Sequence, residues 1–222
     1  MYDFPVYIIS LSVAKNRLDK VFLTLPKTFS GKNIHIFDAV DGSKVEIPSW
    51  WKTTAGRYGC HASHMSILET IVEKDLKNVL ILEDDAHFTN NFDEIFSQSF
   101  PLLPPDWDQF YLGGLHQYNP SLINNYVYRA DGLLGTHAYM IKNKQSAKKI
   151  LSYFPDVYIN HMYLNSDYQI DQAYTYLHIK SLINVYTPTI FIVGQFPDNI
   201  SYCDNFEGGR QRLKLFNRIN NK

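Results

Sequence analysis

Apolar residues fall along the chain in short runs divided by polar, glycine- or proline-bearing stretches. Runs rich in β-branched and aromatic residues predict strands at VYIISL (6–11), NIHIFDAV (33–40), NVLIL (78–82), QFYLGG (109–114), THAYMI (136–141), SLINVY (181–186) and TIFIV (189–193). Between them the apolar spacing lengthens to three and four. In GCHASHMSILETIVEK (59–74), Met65, Leu68, Ile71 and Val72 recur at helical spacing and Glu69 and Glu73 mark a polar face. Further helices are predicted at 15–24, at 143–153 entered from Asn143, and at 166–177 with Ser166 as N-cap and Asp167 in the first turn.

The early strands are apolar on both faces, as a sheet covered by helices on both sides requires. Strand and helix alternate through the first half, which predicts an α/β fold with a mainly parallel central sheet flanked by helices. PLLPPDW (101–107) reads as a rigid turn, and the chain has no internal repeat.

Composition agrees with a packed core. The 222 residues are 45% hydrophobic and 19% charged, with 16 Tyr and 14 Phe, too aromatic for disorder and sized for a single domain. A formal charge of −1 gives no overall pull toward nucleic acid or anionic lipid. The final stretch GGRQRLKLFNRINNK differs locally, holding Arg210, Arg212, Lys214, Arg218 and Lys222 without an acid. It is either a solvated tail or an arm for a phosphate or a membrane surface.

Cys60 and Cys203 have no metal-ligand spacing and fit a reducing compartment such as the cytoplasm. MYDFPVYIISL lacks the basic start of a signal peptide and reads as a first strand. LINVYTPTIFIVG, broken by Pro188, is too short to span a bilayer.

The chemistry concentrates where NVLIL runs into Glu83, Asp84 and Asp85. Ligands of open α/β sheets collect beyond the carboxyl ends of strands, and adjacent carboxylates repel unless a cation lies among them. Two readings stand: a site for Mg²⁺ or Mn²⁺, or a strand exit whose acids cap a turn. Alternation along an extended backbone puts Glu83 and Asp85 on one side, making them the expected metal pair, with Asp84 on the other.

Four pieces in order carry a resemblance: YIISLSVAKNR near the N-terminus, IFDAVDG (36–42), YGCHASHMSIL (58–68) and LILEDDAHF (80–88). Together they resemble glycosyltransferase family 25, with weaker likeness in GTHAYMI (135–141), SDYQIDQAY (166–174) and GQFPDNIS (194–201). In GCHASH, Ala62 stands where the family more often has Leu. The resemblance implies a GT-A-type nucleotide-sugar fold, a UDP-sugar donor and inverting transfer to a hydroxyl. Residues 1–115 would hold donor and metal, and 116–222 the acceptor.

On that pattern the EDD triplet corresponds to the element that bridges Mn²⁺ or Mg²⁺ to the donor diphosphate. Ser10, Leu11 and Arg17 would lie near the nucleotide base and phosphates, and Asp38, Asp41 and Gly42 would close the pocket. Ser63, His64, Asp84 and His137 are expected on the donor side, with Gln195 and Asp198 in a loop folding over the donor. The general base is expected at the start of a helix, at Asp167 first and Asp171 second. His61 reads as a core histidine, and Trp50 and Trp51 either stack on sugar or plug a core edge.

The acceptor stays open among a glycan, a lipid-linked sugar, a protein and a modified nucleic-acid base. Alternatives are a magnesium-dependent phosphotransferase or nucleotidyltransferase, and a sugar-nucleotide-binding protein without catalysis.

Overall fold

A computed structural model describes residues 2–29, 31–161 and 169–196. In chain order its strands are β1 (Val6–Ser10), β2 (Ile34–Asp38), β3 (Val79–Glu83), β4 (Ala86–Phe88), β5 (Gln109–Tyr111), β6 (Leu115–His116), β7 (Ser121–Asn124), β8 (Val127–Arg129), β9 (Leu133–Leu134), β10 (Ala138–Ile141), β11 (Val185–Pro188) and β12 (Val193–Gln195). The α-helices are α1 (Lys15–Thr24), α2 (Ala55–Lys74), α3 (Phe92–Ser99), α4 (Lys144–Asp156) and α5 (Ile170–Ile179).

Eight strands form one sheet in the order β2-β1-β3-β10-β5-β11-β8-β7, and β12-β4 and β6-β9 form two small ribbons. β1 runs parallel to β2 and β3, and β11 runs parallel to β5. β10 is antiparallel to β3 and β5, and β8 to β11 and β7. Six strands therefore point one way and β10 and β8 the other, so the α/β class holds in a mixed sheet. Four of its seven neighbouring pairs are antiparallel.

Alternating strand positions feed two cores, which is why the early strands are apolar on both faces. Tyr7, Ile9, Val79 and Ile81 pack toward α2, α4 and α5, with Ile67, Leu68, Ile150, Phe154 and Tyr174. Val6, Ile8, Leu80 and Leu82 pack the other way, toward Val21 of α1 and the ring cluster of Phe4, Phe29, Phe92 and Phe96. Full burial of each such side chain stabilises by about 1.5–3 kcal/mol, so the β1–β3 pair anchors both layers.

The helix ends follow their sequences. Thr54 caps α2, its side chain accepting from Arg57 N at 3.3 Å, so the helix starts four residues before the predicted 59. Its exit is Asp75, in the left-handed region at φ 52°. Asn143 caps α4 by accepting from Gln145 N and Ser146 N at 2.9 and 3.0 Å.

Several expectations are corrected. α5 begins at Ile170 with Gln169 at its N-cap and Asp171 as its first-turn acid, while Ser166 lies outside the described residues. TIFIV is not a strand over most of its length, since pairing resumes only at Val193 and Ile190 lies exposed. The ribbons and α3 were not predicted. Trp51 is buried and Trp50 half-buried, both against Tyr158 and His61, so the pair plugs a core edge.

Candidate active site

The parallel register brings the carboxyl ends of three strands to one edge. Ser10 pairs with Asp38 across β1–β2, and Ile9 with Glu83 across β1–β3. β3 stops at Glu83, and Asp84 and Asp85 turn into β4. β12 lies antiparallel to β4 with Gln195 opposite Ala86, which delivers the late segment to the acids.

Each acid has its own neighbours. Glu83 leans toward α2 and the loop before β10, where Thr136 Oγ1 donates to its Oε1 at 2.5 Å and His64 Nε2 lies 3.4 Å from the same oxygen. Asp84 accepts from Ser10 Oγ at 2.9 Å and pairs with Arg17 Nη2 at 2.9 Å. Asp85 takes the same guanidinium nitrogen at 3.2 Å and accepts from Gln195 Nε2 at 3.2 Å. Alternation ends with the strand, so one guanidinium spans Asp84 and Asp85, which the sequence had set on opposite sides.

Charge is unevenly tolerated here. Burial works to raise the Glu83 pKa, but the nearby His64 imidazole and the Thr136 hydroxyl hold it below the usual carboxylate range. Burial pushes Asp84 up despite Arg17 and Ser10. Asp85 is pushed up to about 7, by burial first and then by the Glu83 charge, with Arg17 opposing. Its Oδ1 is buried with no hydrogen-bond partner among the described residues.

The other expected residues scatter around this edge. Asp38 is exposed at the end of β2, and the Leu11 carbonyl accepts from Ala14 N at 2.8 Å in the turn into α1. Asp41 caps a short turn, accepting from Ser43 N at 3.0 Å and pairing with Lys44 Nζ at 2.9 Å. Gly42 is there for closeness: a Cβ on it would run into Ala55 O, and one on Gly59 into Val40 O. Ser63 is fully buried, accepting from Val40 N at 2.9 Å and donating to Gly59 O at 2.7 Å. Its hydroxyl clasps this loop to α2.

His64 and His137 are also buried. His64 Nδ1 meets Tyr139 Oη at 2.7 Å, and Tyr139 Oη meets Tyr174 Oη at 3.3 Å. His137 Nε2 meets Val193 O at 3.2 Å, tying β10 to the strand that carries Gln195. Asp171 is buried, its Oδ2 accepting from Gly135 N at 3.3 Å beside Thr136. Asp167 and Asp198 lie outside the described residues.

Sequence reasoning missed Thr136 and Tyr139. Thr136 stands inside the quoted GTHAYMI, and a hydroxyl at the first position of that predicted strand was the available signal.

A divalent cation fits the acids. With all three ionised, Glu83, Asp84, Asp85 and Arg17 sum to a formal −2, and the Asp85 Oδ1 is buried without a hydrogen-bond partner among the described residues. Glu83 and Asp85 would hold the cation, Asp85 through its bare Oδ1, although the three His/Cys/Asp/Glu ligand atoms that lie closest together among the described residues are those of Cys60, His64 and Glu83. The Glu83 and Asp85 oxygens suit a hard ion, while Arg17 keeps Asp84 occupied.

The sequence profile of Glycosyltransferase family 25 (LPS biosynthesis protein) matches residues 4–119, which takes in β1 through β6 and every acid of the edge. The procollagen lysyl hydroxylase and glycosyltransferase of Acanthamoeba polyphaga mimivirus is 28% identical over 173 residues, 66% of this chain and 19% of that protein. The human inactive glycosyltransferase 25 family member 3 is 31% identical over 136 residues, 52% of this chain and 22% of that protein. The chain thus spans about one fifth of the length of these curated relatives. The solved structure of mouse xyloside xylosyltransferase 1 matches with a TM-score of 0.47 at 10% identity, covering 81% of this chain and 82% of that one. With more than half of its length matched by the family profile, this chain belongs to glycosyltransferase family 25.

Proposed function

We propose that the chain transfers a sugar from a UDP-sugar to an acceptor hydroxyl, with inversion and with help from Mn²⁺ or Mg²⁺. The observation that carries this reading is Asp85: a half-buried carboxylate with one bare, buried oxygen, crowded by Glu83 at the carboxyl edge of parallel strands. When bound, the cation supplies the positive charge that offsets the diphosphate as the glycosidic bond breaks.

The chain's own groups set the geometry. Thr136 orients Glu83, Gln195 orients Asp85, and Arg17 holds Asp84 and Asp85 together with its guanidinium at the same edge. Inversion needs one further group to take the proton from the attacking hydroxyl. Asp171 is buried and engaged with Gly135 N, so its role here is to position the Gly135–Thr136 segment. Asp167 is the proposed base.

A donor screen tests this reading. UDP-glucose, UDP-galactose and UDP-N-acetylglucosamine are incubated with Mn²⁺ and the release of UDP is measured. We expect one donor to be turned over, and Asp167→Asn to stop turnover while leaving donor affinity intact. Turnover surviving in Asp167→Asn would remove that residue as the base. The kinship with a relative named inactive favours a second reading, donor binding without transfer. It predicts UDP-sugar affinity but no UDP release from any donor.

A further inference from the structure

Cys60 and His64 stand four apart on α2, hence on one face of the helix, and that face meets the end of β3 at Glu83. The ligand atoms of Cys60, His64 and Glu83 all lie within 4.8 Å of one another. His64 is fully buried, and its Nε2 has no hydrogen-bond partner among the described residues although it points at Glu83 Oε1 3.4 Å away. On the far side of the ring, Nδ1 is held by Tyr139 Oη at 2.7 Å.

We propose that Cys60, His64 and Glu83 form a binding site for a zinc-class transition ion, separate in chemistry from the hard-ion pair of Glu83 and Asp85. A thiolate and an imidazole are ligands such an ion prefers and Mg²⁺ does not. In a tetrahedral zinc site, metal bonds of about 2.0–2.3 Å place neighbouring ligand atoms about 3.2–3.8 Å apart. The imidazole–carboxylate separation of 3.4 Å is already in that range. Cys60 is half-buried on α2, and the proposal requires its side chain to rotate so that Sγ closes from within 4.8 Å to that range.

Tyr139 completes the arrangement. A histidine that binds metal through Nε2 carries its proton on Nδ1 and needs an acceptor there, which the Tyr139 oxygen supplies. Three protein ligands leave a fourth position for water or a ligand oxygen. Glu83 belongs to both sites, so a zinc-class ion withdraws it from the hard-ion pair. That antagonism rests on the proposed function, whereas the binding does not.

Cobalt(II) is the probe. Added to the full chain, it should give a near-ultraviolet thiolate-to-metal charge-transfer band and the intense visible bands of tetrahedral coordination, at one equivalent. Both should persist in Cys203→Ser and be bleached by Zn²⁺ but not by Mg²⁺. Cys60→Ser, a small change at a half-buried position, should abolish the charge-transfer band. Glu83→Gln should keep that band and weaken cobalt binding, since a neutral amide replaces a carboxylate ligand. A wild-type spectrum without the thiolate band, or a band that survives in Cys60→Ser, would overturn the proposal whatever the donor screen shows.

Discussion

Asp85 is a carboxylate kept where its charge is costly. Its pKa stands near 3.8 in the unfolded chain and is pushed up to about 7 in the fold. Between those values the folded chain holds a proton that the unfolded chain has released, so raising the pH through this window favours unfolding. Asp85→Asn removes that cost and keeps an acceptor for Gln195. We expect it to stabilise the metal-free protein at pH 8 by about 1 kcal/mol, a Tm rise of about 2–4 °C for a chain of this size. The gain should vanish near pH 4, and a variant less stable than the parent at pH 8 would contradict the assignment.

Cation binding obeys the same linkage in reverse. Mn²⁺ must displace the Asp85 proton, so its affinity should rise by up to about tenfold per pH unit below 7 and level off above. Calorimetry in buffers of different ionisation heat would count the proton released. Thr136 acts at one remove: Thr136→Val takes away the hydroxyl that donates to Glu83, leaving the carboxylate poorly oriented. Mn²⁺ affinity should fall several-fold with the melting temperature little changed.

At the scale of elements, the site depends on how closely the loop after β2 lies against α2. Gly42 and Gly59 allow backbone to approach backbone, and the Ser63 hydroxyl fastens the contact through Val40 N and Gly59 O. Gly59→Ala would raise helix propensity by about 1 kcal/mol, but its methyl meets the Val40 carbonyl, which cannot swing aside as a side-chain tip would. Overpacking of this kind costs about 1–3 kcal/mol, so the net effect should be a lower denaturation midpoint. An unchanged or raised midpoint would mean that the loop is not pressed against the helix.

The same elements show what a sequence can display. Strands buried on both faces, such as VYIIS and VLILE, announce themselves by apolar content alone, and α1 starts and stops where its spacing predicts. The ribbons do not, since β6 and β9 are two residues each and carry no period. α3 had a legible face in Phe92, Ile95 and Phe96 that passed unread beside the acids. TIFIV looked like a strand because it is apolar and β-branched. Yet Ile192 and Val193 both donate to the Leu112 carbonyl as the chain crosses over, and pairing overrides propensity there.

Over the whole molecule, the expected halves interleave. β10, from the second half, sits between β3 and β5 of the first, and β12 returns to pair with β4 beside the acids. The acids and Gln195 were legible as residues, because polar groups at strand ends stand out against apolar runs. Ser10, Arg17 and His64 stood out as well, but their pairing with the acids did not. Arg17 is about seventy residues from Asp84 in sequence, and only the packing of α1 against the sheet makes it their shared counter-charge.

Among the described residues no helix is long and apolar enough to cross a membrane. The central claim is electrostatic, namely that four side chains, summing to −2 once Asp85 gives up its proton, take a divalent ion and, through it, a diphosphate. The direct test is calorimetric titration of UDP into the protein with and without Mn²⁺, in the wild type and in Asp85→Asn. The account predicts tight binding only with Mn²⁺ and a loss of at least about tenfold in the variant, the worth of one good charge contact. Equal UDP affinity with and without the metal would contradict it.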